Sequence, residues 1–183
     1  TGIRPTKIAY GLLEKGICRE KIAAYMKDTY SCSDKKAFLA YDIAQREHDI
    51  LSHIHYENGY SLYIGIPFCP TTCLYCSFTS YSIAAHRNEV DAYLMALEKE
   101  IDYVAESFAD KTLDSIYIGG GTPTTLEAEE LDRLLSYIDN KLDLSQALEY
   151  TVEAGRADSI TKAKLEVIKK HGVTRISVNP QTM

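Results

Sequence analysis

Long apolar runs are missing from this chain of 183 residues, and no stretch approaches the roughly 20 apolar residues of a membrane-spanning helix. The opening segment, Thr1-Gly-Ile-Arg4, lacks the pattern of a secretory signal. An excess of basic residues is also missing, because 26 acidic residues outnumber 20 basic ones and the net charge is -6. We therefore expect neither a membrane span nor a nucleic-acid partner.

Cysteine is scarce, and its count of five is odd, which argues against a framework of disulfides. Three of the five lie in one short run, Cys69-Pro-Thr-Thr-Cys73-Leu-Tyr-Cys76. Thiols bunched in this way suit a reducing compartment, so we expect a cytoplasmic location. The other two, Cys18 and Cys32, fall in a helical region, where we expect them to be buried as small apolar residues.

The composition, with 45% hydrophobic and 25% charged residues, is typical of a globular protein. Residues 1–58 carry apolar side chains at helical spacing and predict a helical N-terminal region. Ser33 is predicted to cap its longest helix, with these residues facing inward: Phe38, Tyr41, Ala44, Leu51 and Ile54. The Asn58-Gly59 pair is a turn signal, and it marks the boundary to a second region, residues 59–183.

The second region alternates short apolar runs with helical patterns. The runs predict four strands: Ser61–Ile66, Asp114–Ile118, Glu149–Val152 and Thr174–Val178. The last intervening helix is predicted to start at a Ser159 cap and to end at His171, with Gly172 after it. Repeated β-α units of this kind indicate an α/β fold with a parallel sheet. Because four such strands neither close a barrel nor protect their edge, we expect a piece of a longer protein or half of a swapped assembly.

Unusual residues follow each of the four predicted strands. Since the carboxyl ends of parallel strands share one rim of the sheet, these residues are expected to meet there. The four segments are the cysteine run with Pro67-Phe68 before it, Gly119-Gly-Gly-Thr-Pro123, Glu153-Ala-Gly-Arg156 and Asn179-Pro-Gln181. The fold would thus bring a metal loop, a glycine loop, a carboxylate and an amide to one mouth.

Three cysteines cannot saturate a four-iron cluster, which normally takes four, so one iron would stay open to a small molecule. The alternative is a zinc ion with His86 or a distant residue as the fourth ligand, although the spacing is unlike that of paired zinc knuckles. Glu153 could instead form an ion pair with Arg156 or Arg175. The glycines could be a flexible turn, and Gln181 a loop amide.

The cysteine run, Cys-x3-Cys-x2-Cys with an aromatic residue before the last Cys, resembles the signature of the radical S-adenosylmethionine (SAM) enzymes. Four further segments resemble the oxygen-independent coproporphyrinogen III oxidase group: 63–69, 119–123, 151–154 and 175–181. The start of the chain, residues 1–7, is similar to a branch of coproporphyrinogen dehydrogenase-like proteins in Gram-positive bacteria. The resemblance implies the first half of a partial (β/α) TIM-like barrel after the helical region.

The resemblance also implies roles for individual residues. Cys69, Cys73 and Cys76 would ligate a [4Fe–4S] cluster, whose fourth iron would be chelated by the amino and carboxylate groups of SAM. The implied SAM contacts are Gly120, Gly121 and Thr122 at the methionine end, Glu153 at the polar groups, Gln181 at the ribose, Tyr75 near the adenine, and Tyr63 from the first strand.

The implied chemistry is a one-electron reduction of SAM that yields a 5′-deoxyadenosyl radical, which abstracts hydrogen from a substrate. In the porphyrinogen enzymes a propionate side chain of coproporphyrinogen III then loses CO2 and becomes vinyl. The expected partners are a tetrapyrrole substrate and an electron donor of the flavodoxin or ferredoxin type. The resemblance assigns no catalytic residue beyond those that hold the cofactors.

One position departs from the decarboxylating enzymes, which carry a further Cys two residues after the cluster motif. This chain has Phe78 there, as does the haem-chaperone branch of the family, which keeps the cluster motif but is thought to bind and deliver haem. A haem-binding carrier is therefore the alternative to a decarboxylating oxidoreductase.

Overall fold

The computed structural model describes residues 4–179, which form two compact units, one ending at Ile54 and the other starting at His55. The first unit consists of three helices, α1 (Thr6–Leu13), α2 (Arg19–Tyr30) and α3 (Asp34–Leu51). Its buried residues are small or aliphatic: Ala9, Ile22, Ala23, Met26, Ala37, Ala40 and Ala44. None of the helices in the described part of the chain has the length and apolarity needed to cross a membrane.

The fully buried residues of α3 are alanines, and the predicted inward residues Phe38 and Tyr41 pack against the same core while partly buried. Ser33 does occupy the cap position, and Ala44 is buried as predicted. Leu51, in contrast, is 39% exposed, and Ile54 lies beyond the end of the helix. The prediction failed there because alanines at three- and four-residue spacing bring α3 close to its neighbours, which leaves larger side chains at the rim.

The two cysteines of the helical unit are not buried as predicted. Cys18 is exposed at the N-cap of α2, and Cys32 is half-buried just after that helix. Cys32 packs against the core of this unit while partly buried, so the expected apolar role holds in part for Cys32 and is wrong for Cys18.

The second unit is an α/β fold whose main sheet consists of four parallel strands, β1 (Gly59–Ile66), β4 (Thr112–Gly120), β5 (Glu149–Ala154) and β6 (Arg175–Val178). Their order across the sheet is β1-β4-β5-β6. Two short strands, β2 (Phe68–Cys69) and β3 (Tyr81–Ser82), pair with each other. The four predicted strands are thus confirmed, with ends that differ by a few residues. Helices cover the sheet and bury apolar side chains of β1, β4 and β5, whereas all four residues of β6 are exposed.

Helices alternate with the strands of this sheet. They are α4 (Ile83–His86), α5 (Val90–Ser107), α6 (Ala128–Lys141) and α7 (Lys162–Lys170), with short 3₁₀ turns at Arg87–Glu89, Pro123–Thr125 and Ala157–Ser159. Strand and helix side chains share one core, which includes Ile66, Leu94, Ile116, Ile118, Leu131, Leu135, Ile138 and Val152. An alternating order with a common core carries all four strand ends to the same edge of the sheet.

The start of α7 differs from the prediction. Thr161 is its N-cap, and its hydroxyl accepts a hydrogen bond from the Lys164 backbone N–H at 3.3 Å. Ser159 lies two residues earlier, in a 3₁₀ turn, where its hydroxyl bonds the Arg156 carbonyl instead. Both hydroxyl residues suit a cap, and tertiary contacts decide between them. Gly172 follows the helix with φ of 70°, as predicted.

His171 joins α6 to α7 through two carboxylates. Its Nδ1 lies 2.6 Å from Asp139 and its Nε2 2.8 Å from Asp132, and the side chain is only 7% exposed. Burial alone would lower the pKa of His171, but the hydrogen bonds to Asp139 and Asp132 outweigh burial and raise it. The protonated ring therefore stabilises the folded state.

We expect His171→Asn to lower the free energy of unfolding by about 1–3 kcal/mol at about pH 6. Because the folded-state pKa is raised, the stabilisation is fully present below the unfolded pKa of about 6.5 and is lost as the pH rises through the folded pKa. Urea unfolding should show the difference from wild type shrinking toward pH 9, with the exposed His53→Asn as the control. A difference that stays constant with pH would contradict the ion-pair interpretation.

Candidate functional site

A cavity of about 210 Å³ opens at the carboxyl edge of the sheet and is lined by segments that follow all four main strands. The lining residues are Cys69, Cys73, Cys76, Phe78, Ser80, Gly120, Gly121, Thr122, Glu153, Gly155, Arg156, Ser177 and Asn179. The sequence-based expectation that a cysteine loop, a glycine loop and a carboxylate would share one mouth is met by this arrangement. The topology explains it, since parallel strands end at a common rim.

The three thiols lie on the loop that follows β1. Cys69 is the last residue of β2, and its Sγ lies 3.4 Å from the hydroxyl oxygen of Thr122 on the glycine loop. Cys73 and Cys76 are linked by a turn, in which the Cys76 N–H donates to the Cys73 carbonyl at 3.0 Å. Cys69 is therefore held next to the glycine loop. Cys73 and Cys76 are half-buried and lie further along the cysteine loop.

The glycine loop packs tightly against the start of the cysteine loop. The Gly121 N–H donates to the Ile66 carbonyl at 2.7 Å, and the Thr122 N–H donates to the Phe68 carbonyl at 2.8 Å. A Cβ at Gly121 would lie 2.7 Å from the Phe68 oxygen and 3.0 Å from the Cys69 sulfur. Gly120 has φ of 106°, a conformation that favours glycine. Close backbone approach, rather than flexibility, explains these glycines.

Glu153 extends from β5 into the same cavity, where its carboxylate accepts a hydrogen bond from the Tyr117 hydroxyl at 2.5 Å. This hydrogen bond is the main reason why the pKa of Tyr117 is raised to about 12, with burial contributing further. Tyr117 therefore stays protonated and keeps donating at neutral pH. A second Glu153 oxygen would be only 3.1 Å from a Cβ at Gly119.

The alternative ion pairs suggested for Glu153 are not formed. Arg156 pairs with Asp158, at 2.5 Å between Nη2 and Oδ2, and Arg175 pairs with Glu149, at 3.0 Å. The carboxylate of Glu153 thus faces the cavity with a phenol as its donor, so its second oxygen can receive a donor from a ligand.

Two of the sequence-predicted residues, Tyr63 and Tyr75, lie apart from the cavity lining. Tyr63, on β1, is 61% exposed, and its ring stacks on Tyr117 with centroids 5.8 Å apart. Tyr75, on the cysteine loop, is 73% exposed. Gln181 lies outside the described residues. Their roles toward SAM remain predictions.

The donor chemistry of the cavity fits a multinuclear iron–sulfur group. Cys69, Cys73 and Cys76 line it together, and cysteine thiolates are the usual ligands of such clusters. His86, the suggested fourth zinc ligand, lines a different cavity and pairs with Glu89 at 3.2 Å.

Arg156 is the residue that sequence reasoning undervalued. The sequence suggests it only as an ion-pair partner of Glu153, yet its Nη1 lies 3.7 Å from the Cys73 sulfur. Its position at the carboxyl end of a strand, three residues after Glu153, was the available signal.

The profile of the Radical SAM superfamily matches residues 63–183. The oxygen-independent coproporphyrinogen-III oxidase-like protein HemZ of Bacillus subtilis is 40% identical over 186 residues, which cover 100% of this chain and 37% of that protein. The heme chaperone HemW of Bacillus subtilis is 42% identical over 67% of this chain and 32% of its own length.

A solved structure, that of the Escherichia coli coproporphyrinogen III oxidase HemN, described as a Radical SAM enzyme, is similar with a TM-score of 0.59 and 30% sequence identity. The similarity covers 72% of this chain and 30% of that one. The chain therefore spans little more than a third of the length of HemZ and less of the others.

Proposed function

This chain belongs to the radical SAM superfamily, whose members use a [4Fe–4S] cluster and SAM, and on that premise we propose that it holds both cofactors in an oxidoreductase of porphyrin metabolism. The observation that carries the proposal is the shared cavity, which three thiols, a closely packed glycine loop and Glu153 line together. A site with three sulfur ligands leaves one iron open for a second ligand.

In this proposal Cys69, Cys73 and Cys76 are the cluster ligands. When bound, the reduced cluster supplies one electron for the reductive cleavage of SAM. Gly120 and Gly121 line the cavity together with Cys69, and their backbone polar groups can bind the methionine end of SAM there.

Glu153 would accept a hydrogen bond from the amino group of SAM. The Tyr117 phenol occupies one carboxylate oxygen and thereby orients the other toward the cavity. Thr122 is buried, and its hydroxyl reaches the Cys69 sulfur, so it is suited to support that ligand. Tyr63, Tyr75 and Gln181 complete the proposed set, at the positions that the family resemblance gives them.

The proposed reaction is oxidative decarboxylation of coproporphyrinogen III propionates, in the cytoplasm, with a flavodoxin or ferredoxin as the electron donor. The names of HemZ and HemN support a tetrapyrrole substrate. The substrate, the donor and the location all belong to the proposal, because the chain covers a minor part of these relatives.

A haem-binding carrier is the second candidate. Phe78 stands where the decarboxylating enzymes have an additional Cys, and its side chain lines the cavity while 76% exposed. Several heme chaperones HemW are also similar to this chain, at 32–42% identity. An aromatic side chain beside the thiols could contact a porphyrin face.

A turnover assay and a haem titration of the same protein separate the two candidates. The anaerobically reconstituted, reduced protein is mixed with SAM and coproporphyrinogen III, with Cys73→Ser as the control. We expect methionine, 5′-deoxyadenosine and CO2 from wild type and none from the variant. Stoichiometric haem binding without CO2 release would favour the carrier, and absence of both would reject the proposal.

A further inference from the structure

We propose that Arg156 tunes the iron–sulfur site, donating a hydrogen bond to the Cys73 sulfur and raising the reduction potential of the cluster. The inference rests on the proposed function, because it requires Cys73 to be a cluster ligand. Arg156 acts through that ligand and is therefore a positioning and electrostatic residue.

The guanidinium of Arg156 bridges β5 and the cysteine loop. Its Nη1 lies 3.7 Å from the Cys73 sulfur, 3.0 Å from the Thr71 hydroxyl and 3.4 Å from the Thr71 carbonyl oxygen. The side chain is 18% exposed, so water screens its charge only partly. Nη1 thus contacts two residues of the cysteine loop, Thr71 and Cys73, and Cys73 is a proposed cluster ligand.

The other two nitrogens of Arg156 are bound to a single carboxylate. Nε lies 3.0 Å from Oδ1 of Asp158, and Nη2 lies 2.5 Å from Oδ2. This bidentate pair raises the pKa of Arg156, which stays cationic, and it holds the plane of the guanidinium. Because Asp158 binds the side of the guanidinium away from Nη1, the positive group is nearer to the sulfur than the carboxylate is.

The backbone beneath Arg156 is held by buried polar groups. The Ser159 hydroxyl donates to the Arg156 carbonyl at 2.7 Å and lies 2.6 Å from the Thr124 hydroxyl oxygen. The buried Lys164 ammonium donates to the Thr124 carbonyl at 2.8 Å and to the Ser159 carbonyl at 3.3 Å. These bonds connect the Arg156 turn to the segment after the glycine loop, so the position of Arg156 does not depend on the cysteine loop alone.

A cation and a hydrogen bond at a ligand sulfur change the redox equilibrium in a known direction. Reduction adds one electron, supplied by the external donor, and so increases the negative charge of the cluster and its thiolates. A nearby positive group stabilises that reduced form more than the oxidised one, which raises the potential. The effect would ease reduction of a cluster that must pass its electron to SAM.

The test is the midpoint potential of the reconstituted cluster in wild type and in Arg156→Gln, followed by electron paramagnetic resonance during a redox titration. At a fixed applied potential we expect the ratio of reduced to oxidised cluster to fall roughly tenfold in the variant, a shift of about 59 mV to more negative values. Arg175→Gln removes an arginine from the neighbouring strand, outside the cavity lining, and should leave the potential unchanged.

An unchanged or more positive potential in an Arg156→Gln variant that holds its cluster would overturn the inference, as would a loss of SAM affinity at constant potential. Should this variant lose its cluster, Arg156→Met takes its place, because methionine also removes the positive charge and the hydrogen-bond donor while keeping a long side chain. A lowered potential then supports the role of Arg156, and an unchanged one overturns it. A wild-type protein that binds no cluster would instead reject the proposed function.

Discussion

Replacing Cys73 by serine is expected to abolish incorporation of the cluster, so that iron falls from about four atoms per chain to almost none. The thiolate is the soft ligand that iron–sulfur clusters require, whereas a serine hydroxyl is neither soft nor deprotonated at neutral pH. Two thiols on one loop cannot hold a cubane that already lacks a fourth protein ligand. The measurement is iron and sulfide per chain after anaerobic reconstitution, together with the visible charge-transfer band.

The chain offers matched controls for this experiment. Cys18 and Cys32 belong to the helical unit, and neither lines the cavity. We expect Cys18→Ser and Cys32→Ser to bind iron and sulfide as wild type does. A full complement of iron and sulfide in Cys73→Ser would show that this residue is not a ligand, and the assignment of the loop would be wrong.

Replacing Gly120 by alanine is expected to lower the free energy of unfolding by roughly 2–6 kcal/mol and to remove SAM binding. A φ of 106° is strained for any other residue, at roughly 1–3 kcal/mol. The added Cβ would also lie 2.8 Å from the nitrogen and 2.9 Å from the oxygen of Ile66, which are backbone atoms. Overpacking of that kind costs about another 1–3 kcal/mol.

Gly155→Ala is the matched control, since Gly155 lines the same cavity but its Cβ would meet nothing within 4 Å. Urea unfolding gives the stability of both variants, and calorimetry on the reconstituted protein gives SAM affinity. We expect Gly155→Ala to change stability by less than about 1 kcal/mol. Equal stability of the Gly120→Ala variant and wild type would mean that the glycine loop does not adopt this conformation.

The parallel sheet, and the edge of it at which the candidate site lies, were predictable because both follow from local sequence patterns. Short buried apolar runs mark strands, alternation with helices makes those strands parallel, and parallel strands end together. The order of elements therefore predicts that the loops of Cys69 and Gly121 and the Glu153 carboxylate share one edge of the sheet.

Details that depend on packing across elements were not predictable in this way. The buried alanine face of α3, with Ala37 and Ala40, looks weaker in sequence than the nearby Phe38 and Leu51, because the sequence does not report how closely helices approach. Thr161 rather than Ser159 caps α7, because the Ser159 hydroxyl is already hydrogen-bonded to the Thr124 hydroxyl and to the Arg156 carbonyl.

The polar contacts between side chains of the site were also not predictable from the sequence. The Tyr117 hydroxyl donates to Glu153 from a neighbouring strand, a pairing set by strand register in which Tyr117 lies opposite Thr151. Arg156 reaches Cys73 across 83 positions of sequence. Neither spacing is a recognisable motif, so these contacts emerge only from the three-dimensional structure.

The most direct test of the account is electron paramagnetic resonance of the anaerobically reconstituted and reduced protein, recorded before and after addition of SAM. We predict the signal of a reduced [4Fe–4S] cluster whose shape changes on addition, because SAM would occupy the iron that the three cysteines leave open. A reduced cluster whose spectrum is indifferent to SAM, or a protein that takes up no iron and sulfide, would contradict it.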